Sequence, residues 1–199
     1  MVFRHTFSRG GFVVISFCTQ ILNRWWQIRQ VVEENLRVLE GTPHEWVVLD
    51  LGSDDGLELP SHPNLRWIKV PRPDYYIMGR AKNQAKRLGS GQYLFSLDAD
   101  NYIGQSTIDF IQANPNLPLH NFKPGVQGTH GRIGLPKKIF DEIGGYLEIH
   151  ALYGEDIDYL ERLRRHYPVL KYRECPTPIP NTLNDTQAFY KKPLTYRRH

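Results

Sequence analysis

The chain has 199 residues, 40% hydrophobic, 23% charged and 12% aromatic, with a formal net charge of +4 and two cysteines. This length and balance suit one globular core and exclude a disordered chain, and no apolar run nears the roughly 18 residues of a membrane span. Cys18 and Cys175 can pair only once, which predicts two reduced thiols in a cytoplasmic protein rather than a disulfide framework.

Residues 13–17 are a β-branched and aromatic run that predicts a first buried strand. The run 12–17 is too short for a signal peptide and lacks the small-residue cleavage site of one. Leu22, Trp25, Trp26, Val32, Leu36 and Leu39 then keep one face apolar at helical spacing until Gly41-Thr42-Pro43 stops the helix. Residues 46–49 predict a second strand that closes at Asp50, before the turn-rich Gly52-Ser53-Asp54-Asp55-Gly56. Residues 65–70 predict a third strand, 78–88 a helix ending at Gly89, and 93–97 a fourth strand. This alternation predicts an α/β fold on a mostly parallel sheet, whose ligands bind at the carboxyl ends of the strands. Thr19, Asp50 and Asp98 occupy such ends.

Further on, residues 104–113 predict a helix and 114–122 a loop. The glycine-laden 128–135 stretch reads as a strand, and Pro136 opens a helix that runs to Ile143 and ends at Gly144-Gly145. Gly154 precedes Glu155-Asp156-Ile157-Asp158, and acids in a first turn with arginines in the last mark a helix start. The prolines at 176, 178 and 180 exclude a regular helix there. No repeat or shift in composition divides the chain. Residues 1–199 are therefore expected to form a single domain, with 168–199 a Pro-rich, basic C-terminal segment.

Positive charge gathers late, at Arg162, Arg164, Arg165 and Lys171 and again at Lys191, Lys192, Arg197 and Arg198. Such clusters suit phosphate, nucleic acid or an anionic membrane surface. Aromatic interleaving is limited to Tyr196 and no nucleic-acid motif is present, so no nucleic-acid partner is expected. Peripheral membrane contact through the basic C-terminus is one expectation, and a solvated helix face followed by a frayed tail is the other.

The fourth predicted strand ends in Asp98-Ala99-Asp100. Aspartates oppose β structure, so a pair of them closing a strand marks where a sheet meets solvent or a ligand. Carboxylates one residue apart can grip a hard divalent cation, which can in turn hold a diphosphate. The competing reading is a loop that caps the next helix. Four further pieces stand with it: Ile15-Ser16-Phe17-Cys18-Thr19 followed by Asn23-Arg24; Val48-Leu49-Asp50-Leu51-Gly52-Ser53-Asp54-Asp55-Gly56; Arg80-Ala81-Lys82-Asn83; and Gly154-Glu155-Asp156.

Together, in this order and on these elements, the five pieces resemble the GT-A glycosyltransferases, particularly family 2 and its galactosyltransferase and chondroitin-polymerase relatives. The resemblance spans roughly residues 11–167. It implies a Rossmann-like central sheet flanked by helices, and a metal-dependent, inverting transfer from a nucleotide-sugar, most simply a UDP-sugar, to a hydroxyl of a glycan or lipid-linked acceptor. Thr19 and Asp50 would flank the nucleobase, where a carboxylate suits the uracil imide N–H; otherwise Asp50 is a turn cap. Arg24, Arg80, Lys82 and Asn83 would bind the nucleotide-sugar, Arg80 and Lys82 as charge-assisted donors near the diphosphate or sugar; otherwise these two are a solvated helix face. Asp98 and Asp100 would bind Mn²⁺ or Mg²⁺, with Asp98 also facing the donor. Asp156 would be the general base and Glu155 would orient the acceptor; otherwise both acids only complement a helix dipole.

Metal-binding relatives carry a histidine in a late Tyr-His-Gln-Glu-Pro type segment. The nearest stretch here, Tyr172-Arg173-Glu174-Cys175-Pro176, has none. Arg173 neutralising the diphosphate, Glu174 as a ligand, or a weakly held metal are the alternatives, with His166 and His199 read as surface residues. A sugar-phosphate nucleotidylyltransferase would need a glycine-rich loop after the first strand, and 18–24 holds no glycine. A non-catalytic GT-A-like domain that binds nucleotide or glycan, or scaffolds a polysaccharide assembly complex, is the main alternative.

Overall fold

Six elements alternate through the first half: β1 (Ile15–Ile21), α1 (Trp25–Leu39), β2 (Glu45–Asp50), β3 (Leu65–Lys69), α2 (Met78–Leu88) and β4 (Tyr93–Ser96). This is the computed structural model of the chain, and it describes residues 12–56, 58–148 and 154–180. β1, β2 and β4 are buried along their whole lengths. Helices cover both faces of these strands, which is why each reads as a near-continuous apolar run. Their side chains still alternate. Ile15, Phe17, Trp46, Val48, Tyr93 and Phe95 pack with Ile28, Val31, Leu36 and Leu39 of α1, while Cys18 and Leu49 turn to Ala81 and Ala85 of α2. Both cysteines are free thiols.

The second half contains α3 (Gln105–Ala113), β5 (Leu119–Asn121), β6 (Ile133–Pro136), α4 (Lys137–Ile143), α5 (Glu155–His166) and β7 (Leu170–Tyr172). The sheet runs β3-β2-β1-β4-β6-β5-β7. β1 to β4 pair in parallel, β6 is antiparallel to both β4 and β5, and β7 is parallel to β5, so one strand in seven is reversed. Among the described residues no helix is long and apolar enough to cross a membrane.

Three short stretches differ from expectation. The segment expected as a loop over 114–122 contains β5. The strand expected over 128–135 narrows to β6 and leaves 128–131 as turns. β7 lies at the start of the Pro-rich, basic C-terminal segment, where no strand is expected. β5 and β7 are three residues each, too short to show a period, and their pairing comes from neighbours distant in sequence. β6 carries Gly134 because a Cβ there would meet the rings of Phe95 and Tyr93 at 2.7 Å. The basic residues Lys191, Lys192, Arg197 and Arg198, with Tyr196 and His199, lie outside the described residues.

Candidate active site

β1 pairs with β2 on one side and β4 on the other, and all three end on one edge of the sheet. Asp50, the last residue of β2, is fully enclosed. One carboxylate oxygen accepts the Ser53 N–H at 2.8 Å, while the other has no hydrogen bond and lies 3.7 Å from Lys69 Nζ. The loop beyond is fastened to the start of α1, where Asp55 accepts the Trp25 N–H at 2.8 Å and Asn23 Oδ1 accepts the Asp54 N–H at 2.9 Å. Asn23 meets that geometry at φ 55, a left-handed conformation that asparagine tolerates. Arg24 is half-buried at the N-cap of α1. The Tyr76 hydroxyl is pushed up by burial, with Lys82 and Arg24 lowering it and Asp98 and Glu155 raising it.

Thr19 is tied into the sheet. Its hydroxyl is enclosed, donates to the Leu97 carbonyl at 2.7 Å and accepts from Trp46 Nε1 at 2.8 Å. Its O–H and one of its two acceptor lone pairs are thus used inside the sheet. It holds Leu97, the residue before Asp98.

The Asp98-Ala99-Asp100 turn is closed by Asn101 N–H donating to the Asp98 carbonyl at 3.0 Å. Behind it lies Arg132, a wholly buried arginine. Its guanidinium donates to Asn101 Oδ1 at 2.9 Å, to the Tyr102 carbonyl at 3.0 Å and to Asn121 Oδ1 at 3.1 and 3.2 Å, and sits over the Phe95 ring. Asn101 Nδ2 in turn donates to Asp100 Oδ1 at 2.7 Å and to the Gly128 carbonyl at 2.9 Å. Burial pushes the Arg132 guanidinium down to about 10 against the pull of Cys175, Asp98 and Asp100. Asn35 of α1 completes the support by accepting the Ile103 N–H at 2.7 Å and donating to the Asn101 carbonyl at 3.2 Å.

α5 begins after Gly154, whose φ of 108 is open to glycine and little else. Its first residues, Glu155 and Asp156, meet Lys82 of α2. Lys82 Nζ lies 2.8 Å from Glu155 Oε1 and 2.7 Å from Asp156 Oδ1 in a side chain only 3% exposed. Burial opposes the Lys82 charge, but Asp156 and Asp98, with Tyr146 and Glu155, outweigh it and hold the ammonium well above the usual lysine value. Gly131 shows how near the two acid groups stand. A Cβ on it would lie 2.7 Å from Asp98 Oδ2 and 3.2 Å from Asp156 Oδ2. The Asp98 carboxyl is raised to about 6, chiefly by burial and with Asp100, Asp156 and Glu155 adding to it, against the pull of Lys82. The cluster thus holds more negative charge than Lys82 offsets. Two carboxylates one residue apart in such a field fit a cation of the Mg²⁺ or Mn²⁺ type, whose remaining positions are filled by water and substrate phosphate.

The rest of the Arg80-Ala81-Lys82-Asn83 motif points elsewhere. Arg80 is exposed and pairs with Glu148 at 3.2 Å. Asn83 is buried, accepts the Tyr146 N–H at 2.8 Å, and donates to the Tyr146 carbonyl at 2.9 Å and to Glu148 at 3.0 Å. Both brace residues 146–148 rather than face the carboxylates. Arg173 and Glu174 are not part of the acid cluster either; they line a cavity of about 530 Å³ with Arg37, Gly104, Lys123 and Cys175. His166 is exposed on α5. Among the described residues no three His, Cys, Asp or Glu side chains converge for a metal ion.

Arg132, Gly131 and Tyr146 escape sequence reasoning. Tyr146 stacks on Tyr159 at 4.0 Å, bonds Ser96 Oγ at 2.8 Å and lies under Lys82. Nothing local marks them, because each acts through a partner far away in the chain. The one available signal is the glycine-rich stretch before β6, which reads as a strand and contains the glycine whose missing side chain leaves room for both carboxylates.

No protein-family model matches the chain, and no curated protein matches it by sequence. Solved structures do. Residues 1–349 of TarS from S. aureus align over 81% of this chain and 58% of that one, with a TM-score of 0.63 and 15% identity. The mannosyltransferase PcManGT from Pyrobaculum calidifontis, in complex with GDP-Man and Mn²⁺, aligns over 86% of this chain and 59% of that one, with a TM-score of 0.67 and 16% identity. The chain therefore spans about six tenths of the length of each. The fold is the mostly parallel α/β arrangement shared with these two structures, as the GT-A resemblance implies.

Proposed function

We propose that this chain is a GT-A glycosyltransferase domain that moves a sugar from a nucleotide-sugar to an acceptor hydroxyl with inversion, using Asp156 as the base. The observation that carries this reading is the approach of both Asp98 and Asp156 to Gly131, one from a strand end and the other from a helix start. A donor diphosphate held at Asp98 and Asp100 then has its anomeric carbon beside a carboxylate that can accept a proton. A divalent cation bound by Asp98 and Asp100 would supply neutralising charge for the departing diphosphate.

Asp156 Oδ2 takes the proton of the acceptor hydroxyl as that oxygen bonds to the anomeric carbon, and the bond to the diphosphate breaks. Glu155 orients the acceptor. Asp50, with one carboxylate oxygen lacking a hydrogen bond, suits a base that offers an imide N–H. Uracil has this group, guanine has an equivalent one, and cytosine lacks it. A UDP-sugar is the first donor to try, and the GDP-Man bound by PcManGT makes GDP-sugars the second. Arg24 lies at the nucleotide edge of the same site. The acceptor is a hydroxyl of a glycan or a lipid-linked sugar.

The test is a thermal-shift screen with UDP, GDP and CMP, each with and without Mn²⁺, followed by a transfer assay with the sugars of the best nucleotide. Metal-dependent stabilisation by UDP or GDP, and not by CMP, is expected. If no nucleotide shifts the melting temperature and no donor is consumed, the reading fails. A second reading has one observation in its favour: Glu155 and Asp156 are already both paired with Lys82. A domain that binds nucleotide or glycan without turnover would bind UDP or GDP equally well with Asp156→Asn and transfer nothing in either form.

A further inference from the structure

Lys82 is the one residue of its motif that meets the acid cluster, and its surroundings leave it little freedom. Its flanks on α2 are fixed: Ala81 and Ala85 are in the core, and Asn83 is hydrogen-bonded to both backbone groups of Tyr146. Its ammonium sits 5.3 Å from the centre of the Tyr146 ring, itself held by Ser96 and stacked on Tyr159. Two of its three N–H donors go to Glu155 and Asp156. The Asp156 carboxylate is thereby engaged through one oxygen. Its Oδ1 is spent on Lys82, and its Oδ2 faces Gly131 and the Asp98 side.

We infer that Lys82 is a positioning residue for the proposed transfer, holding the Asp156 carboxylate so that only Oδ2 meets the acceptor, and is not a ligand of the donor diphosphate. This rests on the glycosyltransferase reading above. For Lys82 to reach a phosphate it would have to leave two charge-assisted bonds and strand two carboxylates in a largely buried position, where an unpaired charge is costly. Held in place, it offsets part of the repulsion between Asp156 and Asp98 and sets an orientation on which proton transfer depends steeply, since a displacement near 1 Å costs on the order of 100-fold in rate.

The experiment compares wild type with Lys82→Met, which keeps the length and removes the charge, and with Lys82→Gln, which keeps a donor. The nucleoside diphosphate Kd is measured calorimetrically with Mn²⁺, and kcat and KM are measured with whichever donor sugar the wild type consumes. A positioning role predicts that kcat falls by about 100-fold in Lys82→Met and less in Lys82→Gln, with donor KM and diphosphate Kd within about threefold of wild type. A Kd weakened more than tenfold with kcat retained at saturating donor overturns the inference and makes Lys82 a phosphate ligand. A crystal structure of the unaltered protein with nucleoside diphosphate and Mn²⁺ decides the same point without a variant. Retained Lys82–Asp156 contact supports the inference, and an ammonium moved to the phosphate overturns it. A wild type that neither binds a nucleoside diphosphate nor consumes a donor refutes the proposed function itself, and the inference falls with it.

Discussion

Helix α2 buries two lysines one turn apart, and they live in opposite worlds. Lys82, on the side of the acid cluster, has two carboxylates within 2.8 Å and is held charged. Lys86 meets, among the described residues, only the carbonyls of Leu94 and Ile133, at 3.4 and 3.3 Å. Burial pushes Lys86 down to about 8, partly countered by Cys18 and Asp156 and reinforced by Lys82. Both are essentially inaccessible, so burial alone does not mark a functional group. What separates them is partner chemistry: a cation matched by anions stabilises a site, and one facing only weak dipoles carries a standing cost.

The sharpest way to break this contrast is to remove the anion that defines Lys82. Asp156→Asn keeps the shape and a hydrogen-bond partner but removes the base, so kcat is expected to fall by about 10³-fold, with nucleoside diphosphate affinity little changed. Single-turnover transfer beside a calorimetric Kd measures both. Equal turnover in wild type and variant would remove Asp156 from the chemistry and leave Lys82 paired for structure alone.

Arg132 extends the contrast to a third buried cation, satisfied by neutral groups of better geometry than those of Lys86. Arg132→Met strands Asn101, Asn121 and the Tyr102 carbonyl in the core behind Asp98 and Asp100. A loss of about 3 kcal/mol of stability is expected in urea unfolding, with metal-dependent nucleotide binding lost alongside. A variant as stable as wild type would show that the turn stands without its arginine.

These three cations also measure how much was legible beforehand. β1, β2 and β4 announce themselves as apolar runs closing in polar residues, so the sheet and the positions of Asp50 and Asp98 follow from local pattern. The acids at the start of α5 follow from dipole logic. The polar scaffold does not. Arg132 sits in a glycine-rich stretch, and nothing local in the sequence shows that Thr19 is bonded to Leu97 or that Asn83 braces Tyr146. Each depends on a partner 11 to 78 positions away. Side-chain hydrogen bonding has no sequence period, whereas burial along a strand or helix does.

Lys86 gives the next largest effect, with the opposite sign. Its folded value of about 8 lies below the ordinary 10.5, so between these limits the unfolded chain binds the extra proton and stability rises with pH. Below about 8 the penalty is fully present. Lys86→Met is therefore expected to stabilise the fold by on the order of 2 kcal/mol at pH 7, a gain that fades toward pH 10. The difference between the two melting curves across pH 7–10 is the readout. A variant less stable than wild type at pH 7 would mean that the two long carbonyl contacts outweigh desolvation.

Arg80 is the smallest test and bears on the same helix from its solvent side. Its pair with Glu148 joins side chains 48% and 33% exposed, where screening leaves little net energy. Arg80→Ala should change stability by less than about 0.5 kcal/mol. If only Lys82 of this motif serves the carboxylates, donor KM should also stay within about twofold of wild type. A tenfold rise in KM with stability unchanged would mean that Arg80 leaves Glu148 to meet the donor. The division along α2 would then run between charges that can swing to a ligand and charges that cannot, with Lys82 and Lys86 on the same side of it.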